Sequence, residues 1–217
     1  MTRKETIFYF VLGAINIASG MVDIAWLNYI TKPLLMISLW IFYFQKTKTS
    51  LNTQDKIMLA ALLFSCFGDS FLMFQRQNPN FFLFGLGSFL LAQTAYTTIF
   101  RKSRKTTYLK SLPFAIYTVV LLFFLWTKIP VAFIGAIILY SFAIMMMGIG
   151  AVERQTNTKS YQYVLIGAIT FIASDSLIAI NKFAFSIPMA DFWIMSTYII
   201  AQYLIVEGVL LEREKAA

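Results

Sequence analysis

The sequence predicts an all-α, polytopic membrane bundle of eight transmembrane helices, and both its composition and the spacing of its apolar segments support this. Hydrophobic residues fill 59% of the 217 positions and charged residues only 13%, and the mean hydropathy is +0.71. Soluble domains are about 45–50% apolar and about 25% charged. Because no connector is long enough to separate domains, we expect residues 1–217 to form a single integral membrane domain.

Eight apolar stretches have a length suited to crossing a bilayer, which takes roughly 17–25 helical residues. Polar or turn-forming residues separate them. In chain order they are 6–27, 29–44, 56–74, 81–100, 109–126, 130–150, 161–180 and 191–211.

The first stretches carry local signals of their own. The first lacks a small-residue cleavage site, so we expect it to remain as an anchor. The second is short, and we expect it to begin at Pro33 or just before, where the missing N–H of proline would be unpaired anyway. In the fourth, Gly85 and Gly87 should permit close packing of helices.

The basic residues predict the orientation of the bundle, because Lys and Arg accumulate in cytoplasmic loops. Fourteen of the 18 lie at one set of segment ends, including the run RKSRK at 101–105, and the other four are Lys32, Arg76, Lys128 and Lys182. Both termini are therefore expected in the cytoplasm, with the protein in a bacterial inner (plasma) membrane. The basic run is interpreted as a loop that contacts anionic lipid, and no nucleic acid partner is expected.

The chain has one cysteine, Cys66, and no histidine. This excludes a disulfide framework within the chain, histidine-based zinc sites and Ser-His-Asp triads. We expect neither a metal nor a cofactor, so any chemistry must come from residues such as Asp, Glu, Lys, Tyr or Gln.

Two aspartates inside apolar stretches are the candidate catalytic residues, because intramembrane acids are costly and usually functional. Asp69 and Asp175 lie thirteen and fourteen residues from the cytoplasmic ends of the third and seventh stretches. Both should therefore lie at one depth, about 20 Å along a helix. The alternative is that either acid only forms a hydrogen bond between helices.

Other polar residues are expected at or near that depth and are candidates for substrate binding. Gln93 and Gln202 share helix faces with Tyr96 and Tyr198, respectively. Lys32 and Lys182 should lie at the outer mouth of the bundle. Lys32 is expected to pair with Asp23.

A short internal repeat relates the two halves of the chain. The motifs GDSFL (68–72) and AQTAY (92–96) are echoed by SDSLI (174–178) and AQYLI (201–205). A parallel 4+4 arrangement would bring the two aspartates face to face, as repeats do in transporters.

Longer motifs resemble the YhhN family of multi-pass membrane proteins, whose characterised members are lysoplasmalogenases. The matching segments are TKPLL (31–35), FSCFGDSFLM (64–73), FGLGSFLLAQTAY (84–96) and the long block ASDSLIAINKFAFSIPMADFWIMSTYIIAQYLI (173–205). The resemblance implies an eight-span hydrolase that cleaves the vinyl ether bond of lysoplasmalogens. Its products would be a fatty aldehyde and glycerophosphoethanolamine or glycerophosphocholine.

The resemblance also implies which residues carry the reaction. The family's acidic pair corresponds to Asp69 and Asp175, and its remaining motif residues correspond to Lys32-Pro33, Asn181-Lys182-Phe183, Tyr198 and Gln202. One departure is Gln93, which stands where the family usually has histidine. Glutamine forms hydrogen bonds but does not titrate, so either the family's histidine is a positioning group or this protein differs in activity or substrate.

The implied chemistry suits these residue types. Vinyl ether hydrolysis begins with protonation of an sp² carbon and passes through an oxocarbenium ion, so it needs a positioned acid, a nearby negative charge and water. A pair of carboxyl groups in different protonation states can supply these, as in glycosidases. The phosphate of a lysophospholipid substrate could meet Lys32 or Lys182, while Gln93, Tyr96, Tyr198 and Gln202 could hold the water or a glycerol hydroxyl.

Two other functions fit the same features. A proton-coupled transporter of a small or amphipathic solute would also use paired intramembrane acids. A lipid-binding or scaffold protein could retain the fold without activity.

Overall fold

The computed structural model describes residues 1–101 and 108–216, with side chains up to residue 213, and within these ranges it contains eight α-helices and no β-strand. A 3₁₀ turn at Lys48–Ser50 follows the second helix. The helices are α1 (Arg3–Met21), α2 (Ala25–Thr47), α3 (Thr53–Met73), α4 (Asn80–Phe100), α5 (Tyr108–Leu125), α6 (Val131–Glu153), α7 (Thr158–Phe183) and α8 (Ala190–Ala216).

The prediction of an all-helical fold with eight helices is confirmed. Seven of them, α2 to α8, are long and apolar enough to cross a membrane. Helix α1 differs because three charged residues occupy its start, at Arg3, Lys4 and Glu5. The remaining residues, 6–21, extend about 24 Å at 1.5 Å per residue, against a hydrocarbon thickness of about 30 Å.

Helix α2 begins earlier than predicted. It starts at Ala25 and contains Pro33 inside it, so the expectation that the helix begins near Pro33 is wrong. Proline inside a helix leaves the carbonyl four residues earlier without its partner, but membrane helices tolerate this where neighbours pack closely. Residues before Pro33 are held by such packing, since the side chain of Asn16 in α1 donates a hydrogen bond to Thr31 at 2.9 Å.

Side-chain caps fix the starts of three helices. Thr2 and Glu5 form a capping box at α1, and Asn52 and Asp55 form one at α3. Asn157 caps α7 by accepting a hydrogen bond from the backbone N–H of Ser160 at 3.0 Å. Such caps satisfy N–H groups that have no partner within the helix.

Glycines bring α3 and α4 into close contact. A Cβ on Gly68 would lie 2.6 Å from the ring of Phe89, and one on Gly85 would lie 2.8 Å from Leu72. Gly87 has no atom within 4 Å of the equivalent position. The expectation of close packing is therefore confirmed at Gly85 and wrong at Gly87.

One end of the bundle is joined by ion pairs. Arg213 of α8 contacts the carboxylate of Asp55 in α3 at 3.2 Å, and Arg154 pairs with Glu212. Apart from Arg101, the basic run at 101–105 lies outside the described residues, so its role stays a prediction. The membrane orientation, the 4+4 repeat and the single domain also stay predictions.

Candidate active site

Asp69 is held by groups from two other helices. Its side chain on α3 is only 3% exposed. Tyr198 of α8 donates a hydrogen bond to Asp69 Oδ2 at 2.7 Å, and Lys32 Nζ of α2 lies 3.9 Å from Asp69 Oδ1. The expected pair between Lys32 and Asp23 is therefore wrong. Because α2 begins at Ala25, Lys32 lies two turns inside the helix and contacts α3 instead.

Three more side chains extend this arrangement into the core. Gln202 Nε2 lies 3.3 Å from the Tyr198 hydroxyl and 3.3 Å from Ser65 Oγ. Tyr96 of α4 donates to Gln202 Oε1 at 2.7 Å. The structure thus joins five predicted site residues through hydrogen bonds and one ion pair: Lys32, Asp69, Tyr96, Tyr198 and Gln202.

Asp175 of α7 lies in a second cluster. Its carboxylate accepts a hydrogen bond from the hydroxyl of Tyr140 in α6, and no cation contacts it among the side chains of residues 1–101 and 108–213. Gln93, which is fully buried in α4, lies beside the same Tyr140 hydroxyl. Neither polar atom of the Gln93 amide has a well-formed hydrogen bond within the described structure.

Asp175 faces a cleft between α4, α5, α6 and α7, here called the apolar cleft. Its volume is about 860 Å³, including open space outside the helices, and most of its lining is aliphatic or aromatic. The polar side chains in its wall are few: Tyr117, Thr118, Tyr140, Ser141, Asp175 and Ser176. Tyr117 of α5 donates to Ser176 of α7 at 2.8 Å, which joins the two helices at the side of the cleft.

A second cavity, here called the polar mouth, lies where α1, α2, α3, α7 and α8 have neighbouring ends. It encloses about 1860 Å³, including open space at its entrance. Its wall contains three basic residues, Lys32, Arg76 and Lys182. Lys182 donates to Gln75 Oε1 at 2.9 Å, and its ammonium group lies 4.4 Å from the centre of the Phe82 ring.

The two cavities share part of a wall. Leu72 and Ile178 line both of them. Asp175 lines the apolar cleft, whereas Asp69 lines neither and reaches the polar mouth only through Lys32. The two carboxyl groups have different hydrogen-bond partners, Tyr198 for Asp69 and Tyr140 for Asp175, and their expected face-to-face placement stays a prediction.

Several residues of this region were missed from the sequence. Tyr140 is a tyrosine in an otherwise apolar span, and tyrosines are common in membrane helices near the interface, so its role as the partner of Asp175 gave no distinctive signal. Ser65 was likewise overlooked. Within the described parts of the chain, no group of three His, Cys, Asp or Glu side chains is placed to hold a metal ion.

Comparison with known proteins finds one matching family and similar individual proteins. The profile of the YhhN family matches residues 27–209. The chain belongs to the YhhN family. This YhhN protein is 30% identical over 222 aligned residues to "Lysoplasmalogenase TMEM86A" of Bos taurus and to the protein of the same name of Homo sapiens. Each alignment covers 97% of the chain and 88% of the relative. No solved structure matches it significantly.

Proposed function

We propose that this YhhN protein is a membrane hydrolase that cleaves the vinyl ether bond of lysoplasmalogens to a fatty aldehyde and glycerophosphoethanolamine or glycerophosphocholine. The observation that carries the proposal is the Asp175 carboxyl group, which faces an apolar cleft adjoining a basic, polar mouth. The names of the two mammalian relatives support the same reaction.

The two cavities match the two parts of a lysophospholipid. The single hydrocarbon chain lies in the apolar cleft, because most of its lining is aliphatic or aromatic. The phosphate lies in the polar mouth near Lys32 and Lys182, since ammonium groups bind phosphate as point charges. The sn-1 linkage then crosses the shared wall at Leu72 and Ile178, next to the acidic pair.

Asp175 is the proton donor in this mechanism. It transfers its proton to the β-carbon of the vinyl ether, and the α-carbon becomes an oxocarbenium ion. Water adds to that carbon and returns a proton to the Asp175 carboxylate. The resulting hemiacetal collapses to the aldehyde when the glycerol oxygen takes up the proton that the hemiacetal hydroxyl loses.

Asp69 supplies the negative charge that stabilises the cation. The contact with Lys32 and the hydrogen bond from Tyr198 offset part of the cost of burying this charge. Gln202 and Tyr96 hold Tyr198 in place through the network described above. Gln93 lies beside the hydroxyl group of Tyr140 and helps to position this hydroxyl as the hydrogen-bond donor to Asp175.

The test is release of fatty aldehyde from a lysoplasmalogen by the pure protein in detergent. Asp175→Asn and Asp69→Asn should each lower the rate by about 100-fold or more, as loss of a general acid or a charge at the transition state commonly does. Glu5→Gln is the matched control, because glutamine is also accepted at that position of a capping box, and its rate should equal that of the wild type.

Wild-type turnover in either aspartate variant would remove that residue from the mechanism. A transporter would give a different result: proton movement driven by solute in liposomes, with no aldehyde formed from any lysoplasmalogen.

A further inference from the structure

Asn16 of α1 lines the polar mouth and carries a buried amide oxygen with no partner among the described residues. Its side chain is 1% exposed, and its Nδ2 donates to Thr31 Oγ1 at 2.9 Å. The Thr31 hydroxyl donates its own hydrogen to the carbonyl of Leu27 at 2.8 Å, so it can only accept from Asn16. This fixes the amide orientation and leaves Asn16 Oδ1 buried with no hydrogen-bond partner in the described residues.

Two carboxylates lie in the wall of the same cavity. Asp23 follows the end of α1, and Asp191 lies in the first turn of α8. Asp191 packs beside α1, since its Cβ is 3.7 Å from where a Cβ on Gly20 would lie. Together with Asn16, these residues give this part of the polar mouth hydrogen-bond acceptors and negative charge.

The basic residues of the polar mouth come from other elements. Lys32 belongs to α2, Arg76 to the connection between α3 and α4, and Lys182 to the end of α7. The cavity therefore carries its cations and its anions on different elements. Such an arrangement fits a zwitterion, with a phosphate near the cations and an amine near the acceptors.

We propose that Asn16, Asp23 and Asp191 bind a primary ammonium group, so that the polar mouth selects phosphoethanolamine over phosphocholine. The proposal rests on the proposed function for the choice of a lysophospholipid as ligand. An ethanolamine ammonium has three N–H donors for the buried amide oxygen and the carboxylates. A choline ammonium has none, and it would leave Asn16 Oδ1 unpartnered, which is costly for a buried acceptor.

The aromatic content of the cavity agrees with this choice. Quaternary ammonium groups are usually bound by cages of aromatic rings. Of the described residues that line the polar mouth, only Tyr29 is aromatic, and one face of its ring stacks on Phe74 with centroids 5.5 Å apart. The described lining thus offers hydrogen-bond acceptors for an amine and no aromatic cage for methyl groups.

The experiment measures equilibrium binding of radiolabelled 1-O-octadecyl lysophospholipids to the pure protein in detergent. Their saturated ether cannot undergo the proposed cleavage, so binding is read without turnover. The headgroups form a series: ethanolamine, N-methylethanolamine, N,N-dimethylethanolamine and choline. We expect Kd to rise with each methyl group and to differ roughly tenfold or more between the ends of the series, as for loss of hydrogen bonds to charged groups.

Two variants test whether Asp191 and Asn16 cause the preference for the ethanolamine headgroup. Asp191→Asn, at an exposed position, and Asn16→Leu should each reduce the ratio of the choline to the ethanolamine Kd to below about threefold, whereas Glu5→Gln should leave it unchanged. Equal affinity for all four lipids in the wild type, no binding of any of them, or an unchanged ratio in both variants would overturn the proposal.

The result is separable from the proposed function. A headgroup preference in binding without aldehyde release would support the ammonium site and contradict the proposed hydrolase activity. Aldehyde release at equal rates from ethanolamine and choline lysoplasmalogens, with equal binding, would support the hydrolase activity and contradict the ammonium site.

Discussion

At the scale of single residues, the two aspartates occupy unequal environments. Asp69 is surrounded by a lysine and a tyrosine in a network that continues to Gln202 and Tyr96. Asp175 has a tyrosine as its hydrogen-bond partner and an apolar cleft in front of it. This asymmetry is what allows one carboxyl group to act as an acid and the other as an anion in the proposed reaction.

Tyr140 should matter for the reaction through Asp175. Tyr140→Phe removes the hydroxyl that orients the Asp175 carboxyl, and we expect aldehyde release to fall roughly tenfold or more while the substrate KM changes little. Steady-state kinetics in detergent provide the measurement. The control is Tyr108→Phe, since Tyr108 is 84% exposed; equal kcat in the two variants would exclude a role for Tyr140.

At the scale of helices, the close approach of α3 and α4 positions Asp69. Gly68 precedes Asp69 directly, and its missing side chain is the space that the Phe89 ring occupies. The neighbouring residues of α4 include Gln93 and Tyr96, which face the two clusters of the site. A change in the spacing of this helix pair would therefore move both clusters.

Gly68→Ala should destabilise the protein and lower activity together. The added Cβ would lie 2.6 Å from the Phe89 ring, which forces the helices apart at a cost of about 1–3 kcal/mol. Gly87→Ala is the matched control, because nothing lies within 4 Å of its Cβ position and alanine favours helix. Thermal unfolding in detergent should show a lower midpoint for the first variant only; equal midpoints would contradict this packing.

Sequence patterns predicted which segments form helices better than they predicted which residues contact each other between helices. Apolar stretch length was enough to locate eight helices, because a bilayer constrains the length of whatever crosses it. The predicted start of α2 was wrong because Pro33 was interpreted as a residue of the first turn, whereas it lies inside the helix. That interpretation did not consider the packing of Thr31 against α1. The partners of Lys32 and Asp175 depend on which helix faces meet, and helix periodicity alone does not determine neighbours across the bundle.

At the scale of the whole molecule, basic residues gather at both ends of the bundle, and the orientation in the membrane stays a prediction. The polar mouth gathers three of the four basic residues that were expected outside the cytoplasm, and Arg154 and Arg213 form ion pairs at the other end of the bundle. The orientation depends on whether α1 crosses the bilayer, because eight crossings return the chain to its starting side and seven do not.

We expect both termini on the cytoplasmic side and Lys128 on the opposite side. The measurement is labelling of single cysteines by a membrane-impermeant maleimide in intact cells, in a Cys66→Ser background. A cysteine at Lys128 should be labelled, and cysteines at Thr2 and at Ala217 should be labelled only after permeabilisation. Labelling of Thr2 and Ala217 from opposite sides would mean that α1 does not cross.

The wall formed by Leu72 and Ile178 has a consequence for what would follow the proposed bond cleavage. Scission at this divide would leave the hydrocarbon fragment wholly on one side and the charged glycerol fragment wholly on the other. The aldehyde could then diffuse sideways into the bilayer, while the headgroup fragment escapes to the aqueous phase. Neither fragment would have to pass the other on its way out of the protein.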